Sequence, residues 1–156
     1  MIAMTSDELY NRALHYLSLR EYSQQELRQK LCRLSDDASL IEQVLQELSA
    51  KHLQSDERYA EMYVMSYQSK YGTLRLMHGL KNKGISEEII QQYLFQNQEK
   101  ENELQRAVLV LQKKFRQPEN QINMKQKYAR FLAYRGFDSS VCYQAIRLFI
   151  QGADEI

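Results

Sequence analysis

Residues 74–94 read LRLMHGLKNKGISEEIIQQYL, and this stretch carries the clearest pattern of helix starts and stops in the chain. A first run with helical apolar spacing ends at Gly84, and Ser86 precedes a second such run. Glycine terminates helices because it lacks the Cβ that makes left-handed backbone costly, whereas serine caps the start of a helix. The stretch therefore predicts two short helices joined by a tight turn.

The same pattern occurs twice more, about 50 residues away in each direction. In the later copy Gly136 takes the place of Gly84, and in the earlier copy Ser35 takes it. Neither alignment needs a gap over this core. Three copies of one pattern predict a tandem array in which each unit buries its apolar face against a neighbour.

Helix-start signals and helix breakers divide the chain into nine helices, three in each unit. Two serines at predicted helix starts are each followed three residues later by a glutamate, which is the spacing of a capping box. We expect helices to begin at these pairs, Ser23 with Glu26 and Ser39 with Glu42. Pro118 ends the seventh helix because proline cannot continue one. The sequence thus predicts an all-α fold of three tandem three-helix repeats, in residues 6–54, 55–97 and 101–151.

The composition gives no signal for a membrane span, a secretory leader or a disulfide framework. The longest continuous apolar run is residues 107–111, far short of the roughly 20 residues that cross a bilayer. Acidic residues occur within the first ten positions, where a signal peptide would be basic and then apolar. The two cysteines, Cys32 and Cys142, lie far apart in the sequence. We expect both to be free, buried thiols of a cytoplasmic protein, with a disulfide or redox pair as the alternative.

No group of residues in the sequence indicates an enzyme. His15, His52 and His78 have no metal-ligand spacing. The glycines lack the spacing of either nucleotide-binding fingerprint. Serines occur at helix starts, where capping accounts for them, and the carboxylates are scattered over solvated faces. We therefore expect no catalytic residue, no metal ligand and no cofactor.

Positive charge is concentrated in the last third of the chain. Residues 104–150 contain nine Lys or Arg and two Asp or Glu, whereas the preceding residues are net acidic. Seven of these cations are candidate contacts with a partner protein or nucleic acid: Lys113, Lys114, Arg116, Lys125, Lys127, Arg130 and Arg135. Together with Tyr128 and Tyr134 they could neutralise phosphates, stack on bases or bind an acidic protein groove. An ordinary solvated face is the alternative, because the helix dipole favours lysine near a C-terminus and Tyr128 has core spacing.

Four segments resemble the RecX family of bacterial RecA regulators, and they occur in the family's order. They are ALHYLSLREYSQQELRQKL from Ala13, LQSDERYAEMYV from Leu53, KYG followed by LKNKGI, and FLAYRGF. The resemblance covers about residues 9–150. The chain departs from the family pattern at Ser35, where the repeat would have glycine, and at His78–Gly79, where the family often has a charged residue before its leucine.

The resemblance implies an elongated, curved array of three three-helix repeats. It also implies a partner, the RecA recombinase filament assembled on single-stranded DNA. Members of the family inhibit strand exchange, ATP hydrolysis and filament growth without chemistry of their own, and so modulate recombination, DNA repair and the SOS response. We therefore expect a cytoplasmic monomer that binds this filament and no membrane. The alternative hypotheses are direct binding of single-stranded DNA by the basic third repeat, and a scaffold for an unrelated protein.

Overall fold

The computed structural model describes residues 3–95 and 100–154, and within them the chain forms nine α-helices and no strand. The all-α fold of three-helix repeats is thereby confirmed. The helices are α1 (Ser6–Leu19), α2 (Gln24–Cys32), α3 (Ala38–Ala50), α4 (Asp56–Tyr67), α5 (Thr73–Asn82), α6 (Glu87–Ile90), α7 (Lys100–Lys114), α8 (Ile122–Tyr134) and α9 (Ser139–Asp154). Helix α6 continues directly into a π-helical segment, Gln91–Phe95. Residues 96–97, the end of the predicted second repeat, lie outside the described residues.

The described residues form two compact units. The first comprises those of Met1–Met62 and Leu80–Ile89, and the second comprises those of Tyr63–Gly79 and Ile90–Ile156. Helices α4 and α5 each contribute residues to both units, so the second repeat is not a compact unit by itself. The physical reason is that a segment as short as this repeat buries too little apolar surface to form a stable core alone. The exact boundaries of the three repeats stay a prediction.

The first unit packs around one apolar face from each of α1, α2 and α3. The buried side chains that these helices bring together follow helical spacing, and they are Leu9, Ala13, Leu27, Leu31, Ile41, Val44, Leu45 and Leu48. Tyr22, in the connection between α1 and α2, packs with them. Helix α2 begins with the predicted capping box. Ser23 Oγ accepts a hydrogen bond from the Glu26 amide at 3.2 Å, and Glu26 Oε1 accepts one from the Ser23 amide at 3.1 Å. Two amide groups that the helix leaves without partners are thereby satisfied.

The capping box predicted at Ser39 is wrong. Asp37 is the N-cap of α3, and its Oδ1 accepts a hydrogen bond from the Leu40 amide at 3.1 Å. Ser39 lies in the first turn, and its predicted partner Glu42 instead accepts a hydrogen bond from Arg28 Nε at 2.6 Å. Aspartate caps a helix as well as serine does, and its charge also favours the positive end of the helix dipole.

The burial predicted for Cys32 is also wrong. Cys142 is buried as expected, but Cys32 is exposed, and both thiols are free. Leu31 occupies the inward position of α2 and is fully buried. The next residue of a helix points about 100° away from it, because a turn contains 3.6 residues. Cys32 therefore lies outside the apolar face.

Substituting Asp37 by alanine should lower the free energy of unfolding by about 1 kcal/mol, because the Leu40 amide loses its cap. Ser39→Ala is the matched control and should change that free energy by less than about 0.5 kcal/mol. Urea denaturation followed by circular dichroism measures both variants. A larger loss for Ser39→Ala than for Asp37→Ala would contradict the observed N-cap.

In the second unit, α7, α8 and α9 pack around Tyr128. This side chain is fully buried. Its ring centroid lies 4.8 Å from that of Phe115 and 5.4 Å from that of Phe149, both in edge-to-face arrangement. Its hydroxyl accepts a hydrogen bond from the Glu119 amide at 3.0 Å, in the turn that contains Pro118. Tyr128 is thus a core residue and is not available to stack on a base.

Both predicted glycine stops are confirmed. Gly84 has φ +78° and Gly136 has φ +93°, in the region that only glycine adopts readily. The amide that follows each glycine donates back to a leucine carbonyl. Ile85 N donates to Leu80 O, and Phe137 N donates to Leu132 O, both at 3.1 Å. This hydrogen bond is the helix-ending motif expected at a left-handed glycine.

None of the helices described in residues 3–95 and 100–154 is long and apolar enough to cross a membrane.

Candidate functional site

A groove of about 560 Å³ lies in the second unit, between the α4–α5 connection and helices α7 and α8. All of its charged lining residues are cationic: Lys70, Arg75, Lys113, Lys114 and Arg135. The remaining lining residues are Ser69, Tyr71, Val110, Phe131 and Tyr134. We call this the basic groove. It combines the cations and aromatic rings expected of a surface for an anionic partner.

The α4–α5 connection reaches the groove because its backbone contacts the end of α8 directly. The Gly72 amide donates to the Arg135 carbonyl at 2.8 Å, and the Leu74 amide donates to the Gly136 carbonyl at 3.0 Å. A Cβ on Gly72 would lie only 2.6 Å from the Phe137 backbone nitrogen. The close approach therefore requires glycine at this position, and it brings the second and third repeats together at the groove.

Two side chains of α7 form hydrogen bonds with the backbone at the end of the α4–α5 connection. Glu103 Oε1 accepts a hydrogen bond from the Thr73 amide at 3.2 Å, and Arg106 Nη2 donates to the Tyr71 carbonyl at 3.4 Å. Burial lowers the pKa of the Arg106 guanidinium, although the nearby Glu103 charge raises it. Burial also raises the pKa of the Tyr63 hydroxyl, which therefore stays protonated at neutral pH. These contacts fix the loop that carries Lys70 and Tyr71.

Arg75 lies against two tyrosine rings. Its Cζ is 3.9 Å from the Tyr71 ring centroid and 5.3 Å from the Tyr134 ring centroid, and its Nη1 donates to the Tyr134 carbonyl at 3.3 Å. The Tyr134 side chain is nevertheless 75% exposed. A guanidinium held on aromatic faces loses little further freedom on binding and keeps other N–H groups for a ligand.

Arg135 also lies near the Tyr71 ring. Its Cζ lies 5.9 Å from the Tyr71 ring centroid and 5.2 Å from that of Phe131, while Nη1 donates to the Lys70 carbonyl at 3.4 Å. Lys113 and Lys114 lie exposed in the last turn of α7. None of the five groove cations forms an ion pair with a carboxylate of the residues that the structure describes. Their charge is therefore available to a partner.

The structure brings together only three of the seven predicted contact residues. Lys113, Lys114 and Arg135 line the basic groove. The other four lie elsewhere on the second unit. Lys127 Nζ is 5.7 Å from the Phe115 ring centroid, Lys125 lines a separate cavity beside α9, and Arg116 and Arg130 are exposed outside both.

Sequence reasoning missed two cations of the groove, Lys70 and Arg75. Both belong to the second repeat, whose positive and negative charges balance. Lys70 lies in the α4–α5 connection and Arg75 in the first turn of α5, and only the folded chain places them in one groove with Arg135. One signal was present, because Tyr71 and Tyr134 fall off or at the edge of the apolar stripes in the sequence. Both tyrosines prove to line the groove. In the described part of the chain, no group of three or more His, Cys, Asp or Glu side chains is placed to hold a metal ion.

Models of the three RecX three-helix domains match the chain in order. The first matches residues 10–48, the second 55–94 and the third 101–146. The chain belongs to the RecX family. Relatives named "Regulatory protein RecX" include that of Neisseria meningitidis serogroup C, which is 41% identical over 87% of this chain and 87% of its own. The RecX of Ralstonia nicotianae is 35% identical over 93% of this chain and 87% of its own.

Solved RecX structures share the same fold. The crystal structure of RecX from Lactobacillus salivarius superposes with a TM-score of 0.77 at 26% sequence identity and covers 97% of both chains. A second crystal structure, of a regulatory protein RecX, gives a TM-score of 0.76 at 29% identity and covers 91% of this chain and 72% of its own. RecX is thus a family of regulatory proteins, and none of these relatives has a name that denotes an enzyme.

Proposed function

We propose that this protein regulates the RecA recombinase by binding its filament on single-stranded DNA. In this proposal binding inhibits ATP hydrolysis, strand exchange and filament growth, and so modulates recombination and DNA repair. The observation that carries the proposal is the ordered match of all three RecX domains to residues 10–48, 55–94 and 101–146. The protein acts as a cytoplasmic monomer, without a cofactor and without chemistry of its own.

The basic groove supports the proposal because a filament on DNA offers an anionic partner. Its five cations have no carboxylate partners among the described residues, so binding an anion replaces only water and counter-ions. Arg75 and Arg135 are already held against aromatic rings. A partner therefore does not have to order these long side chains, which reduces the entropic cost of binding.

Inhibition requires no catalytic group in this protein. A ligand that binds one state of its partner more tightly than another shifts the partner toward that state, by as much as the difference in affinity. A protein that binds the assembled filament can therefore slow its ATP hydrolysis or block its growth through contact alone. Contacts made by several repeats on one filament act together through effective concentration.

The direct test compares three ligands at two salt concentrations: single-stranded DNA alone, RecA alone, and the filament assembled from both. We expect the filament to bind at least about tenfold more tightly than either component, because it offers contacts to more than one repeat. We also expect its rate of ATP hydrolysis to fall as the protein is added. If assembly of the filament does not raise the affinity and ATP hydrolysis is unchanged, the proposal is wrong.

Direct binding of single-stranded DNA is the second candidate function, and the exposed ring of Tyr134 favours it. Aromatic rings beside cations bind single strands by stacking on bases while the cations neutralise phosphates. In that case the same experiment gives a different pattern. Naked DNA then binds as tightly as the filament does, and its affinity falls steeply as salt rises.

A further inference from the structure

A second groove, of about 660 Å³, opens between α8 and α9. Helix α8 lines it with the small residues Ala129 and Ala133, and α9 lines it with Cys142, Ile146 and Ile150. Both sets recur at intervals of four residues, so each follows one face of its helix. We call this the apolar groove. None of its lining residues belongs to the basic groove.

Two large apolar side chains at the apolar groove are exposed. Ile122 is 77% exposed and Tyr143 is 71% exposed, although both line the cavity. In the isolated chain, most of the apolar surface of both side chains therefore stays in contact with water. Exposed apolar side chains beside a groove are candidate contacts for a partner, and aromatic residues are enriched among those that dominate binding.

The charge of the apolar groove selects its partner. Its only ionisable lining residues apart from Tyr143 and the buried Cys142 are Lys125 and Arg147, both cationic and exposed. Neither forms an ion pair with a described carboxylate. The other polar lining residues are neutral: Asn120, Gln126, Ser139 and Gln151. A complementary partner therefore has acidic residues beside an apolar face.

The shape of the groove suits a short helix. Its lining on α9 extends from Ser139 to Gln151, and at 1.5 Å per residue this is roughly 18 Å, or about three helical turns. Small residues such as Ala129 and Ala133 let a third helix approach the two that form the walls. Helices that bind in such grooves present apolar side chains at spacings i, i+3 or i+4, and i+7.

We propose that the apolar groove binds a short, acidic amphipathic helix of a partner protein. Apolar side chains of that helix contact Ile146, Ile150 and Tyr143, and its carboxylates pair with Lys125 and Arg147. The site goes beyond the proposed filament regulation, and it does not depend on the basic groove. Its failure therefore leaves the filament proposal untouched, and the reverse also holds.

The test selects ligands from a displayed library of random 12-residue peptides. We expect the enriched peptides to share apolar residues at i, i+3 or i+4, and i+7 with acidic residues between them. A synthetic consensus peptide should bind in a fluorescence anisotropy titration. Its affinity should fall at least about tenfold in Tyr143→Ala and in Arg147→Glu, since each removes one anchor. Circular dichroism checks that both variants fold.

Matched controls lie on the same unit but outside the apolar groove. Leu148→Ala removes another exposed apolar side chain of α9, and Lys114→Glu makes the same type of charge reversal in the basic groove. Neither should change the affinity for the peptide. Enrichment that is equal on the Tyr143→Ala protein, or enriched peptides without acidic residues, would overturn the proposal. So would a concentration-dependent dimer that Tyr143→Ala dissociates, because a second copy of the chain would then be the occupant.

Discussion

Gly136→Ala should lower the free energy of unfolding by roughly 2–5 kcal/mol, because two penalties add at this position. Its φ of +93° lies in the left-handed region, which costs a residue with a Cβ about 1–2 kcal/mol. That Cβ would also lie 2.6 Å from the backbone nitrogen of Arg75 and 2.9 Å from its Cα. Only movement of the backbone relieves such an overlap, at about 1–3 kcal/mol for an overpacked site.

Two other glycines provide controls for Gly136→Ala in the same urea denaturation experiment. Gly152 lies in α9 with no atom within 4 Å of a Cβ built on it, so Gly152→Ala should be neutral or stabilise the protein by up to about 1 kcal/mol. Gly84 also has a positive φ, but a Cβ there meets the side chain of Gln25. Gly84→Ala should therefore cost less than Gly136→Ala. Equal stability of the Gly136 and Gly152 variants would contradict the close approach of the second and third repeats.

Local sequence signals predicted most of the fold. The ends of helices at Gly84 and Gly136 depend on backbone preferences of single residues, which the sequence displays directly. The choice of Asp37 over Ser39 as N-cap was not predictable in this way, because both residue types cap helices equally well. Which residue becomes the N-cap depends on the position at which α3 begins. The packing of the apolar face of α3 within the first unit sets that position.

The candidate site could be predicted only in part, because its residues come from distant segments. The excess of cations in residues 104–150 indicated the correct third of the chain. It could not indicate that Lys113 and Arg135 share a groove while Arg130 lies outside it. Helical spacing did weigh against Tyr128 as a surface residue, and the structure buries it. The contribution of Arg75 requires the contact between Gly72 and Arg135, which no local pattern specifies.

Reversing two charges of the basic groove should greatly weaken binding to the RecA filament. Lys113→Glu combined with Lys114→Glu removes two cations that line the groove and introduces two anions. A hydrogen bond to a charged group contributes about 1.5–3 kcal/mol. The loss of two such bonds should therefore lower the affinity for the filament by about 100-fold or more. Inhibition of ATP hydrolysis by the filament should then require correspondingly more protein. Both side chains are exposed, so stability should change by less than about 0.5 kcal/mol for each.

The matched control is Arg12→Glu combined with Arg33→Glu, which changes the net charge by the same amount on exposed positions of the first unit. It should leave filament binding within about threefold of the unsubstituted protein, because only its long-range charge differs and salt screens that. Salt dependence separates the two effects further. If the lysines contact DNA phosphates, their loss should lower the slope of log affinity against log salt by about 2, one for each contact. A weaker affinity with an unchanged slope would place the contact on an acidic protein surface. An affinity equal to that of the control would show that the two lysines do not contact the filament and belong to an ordinary solvated face.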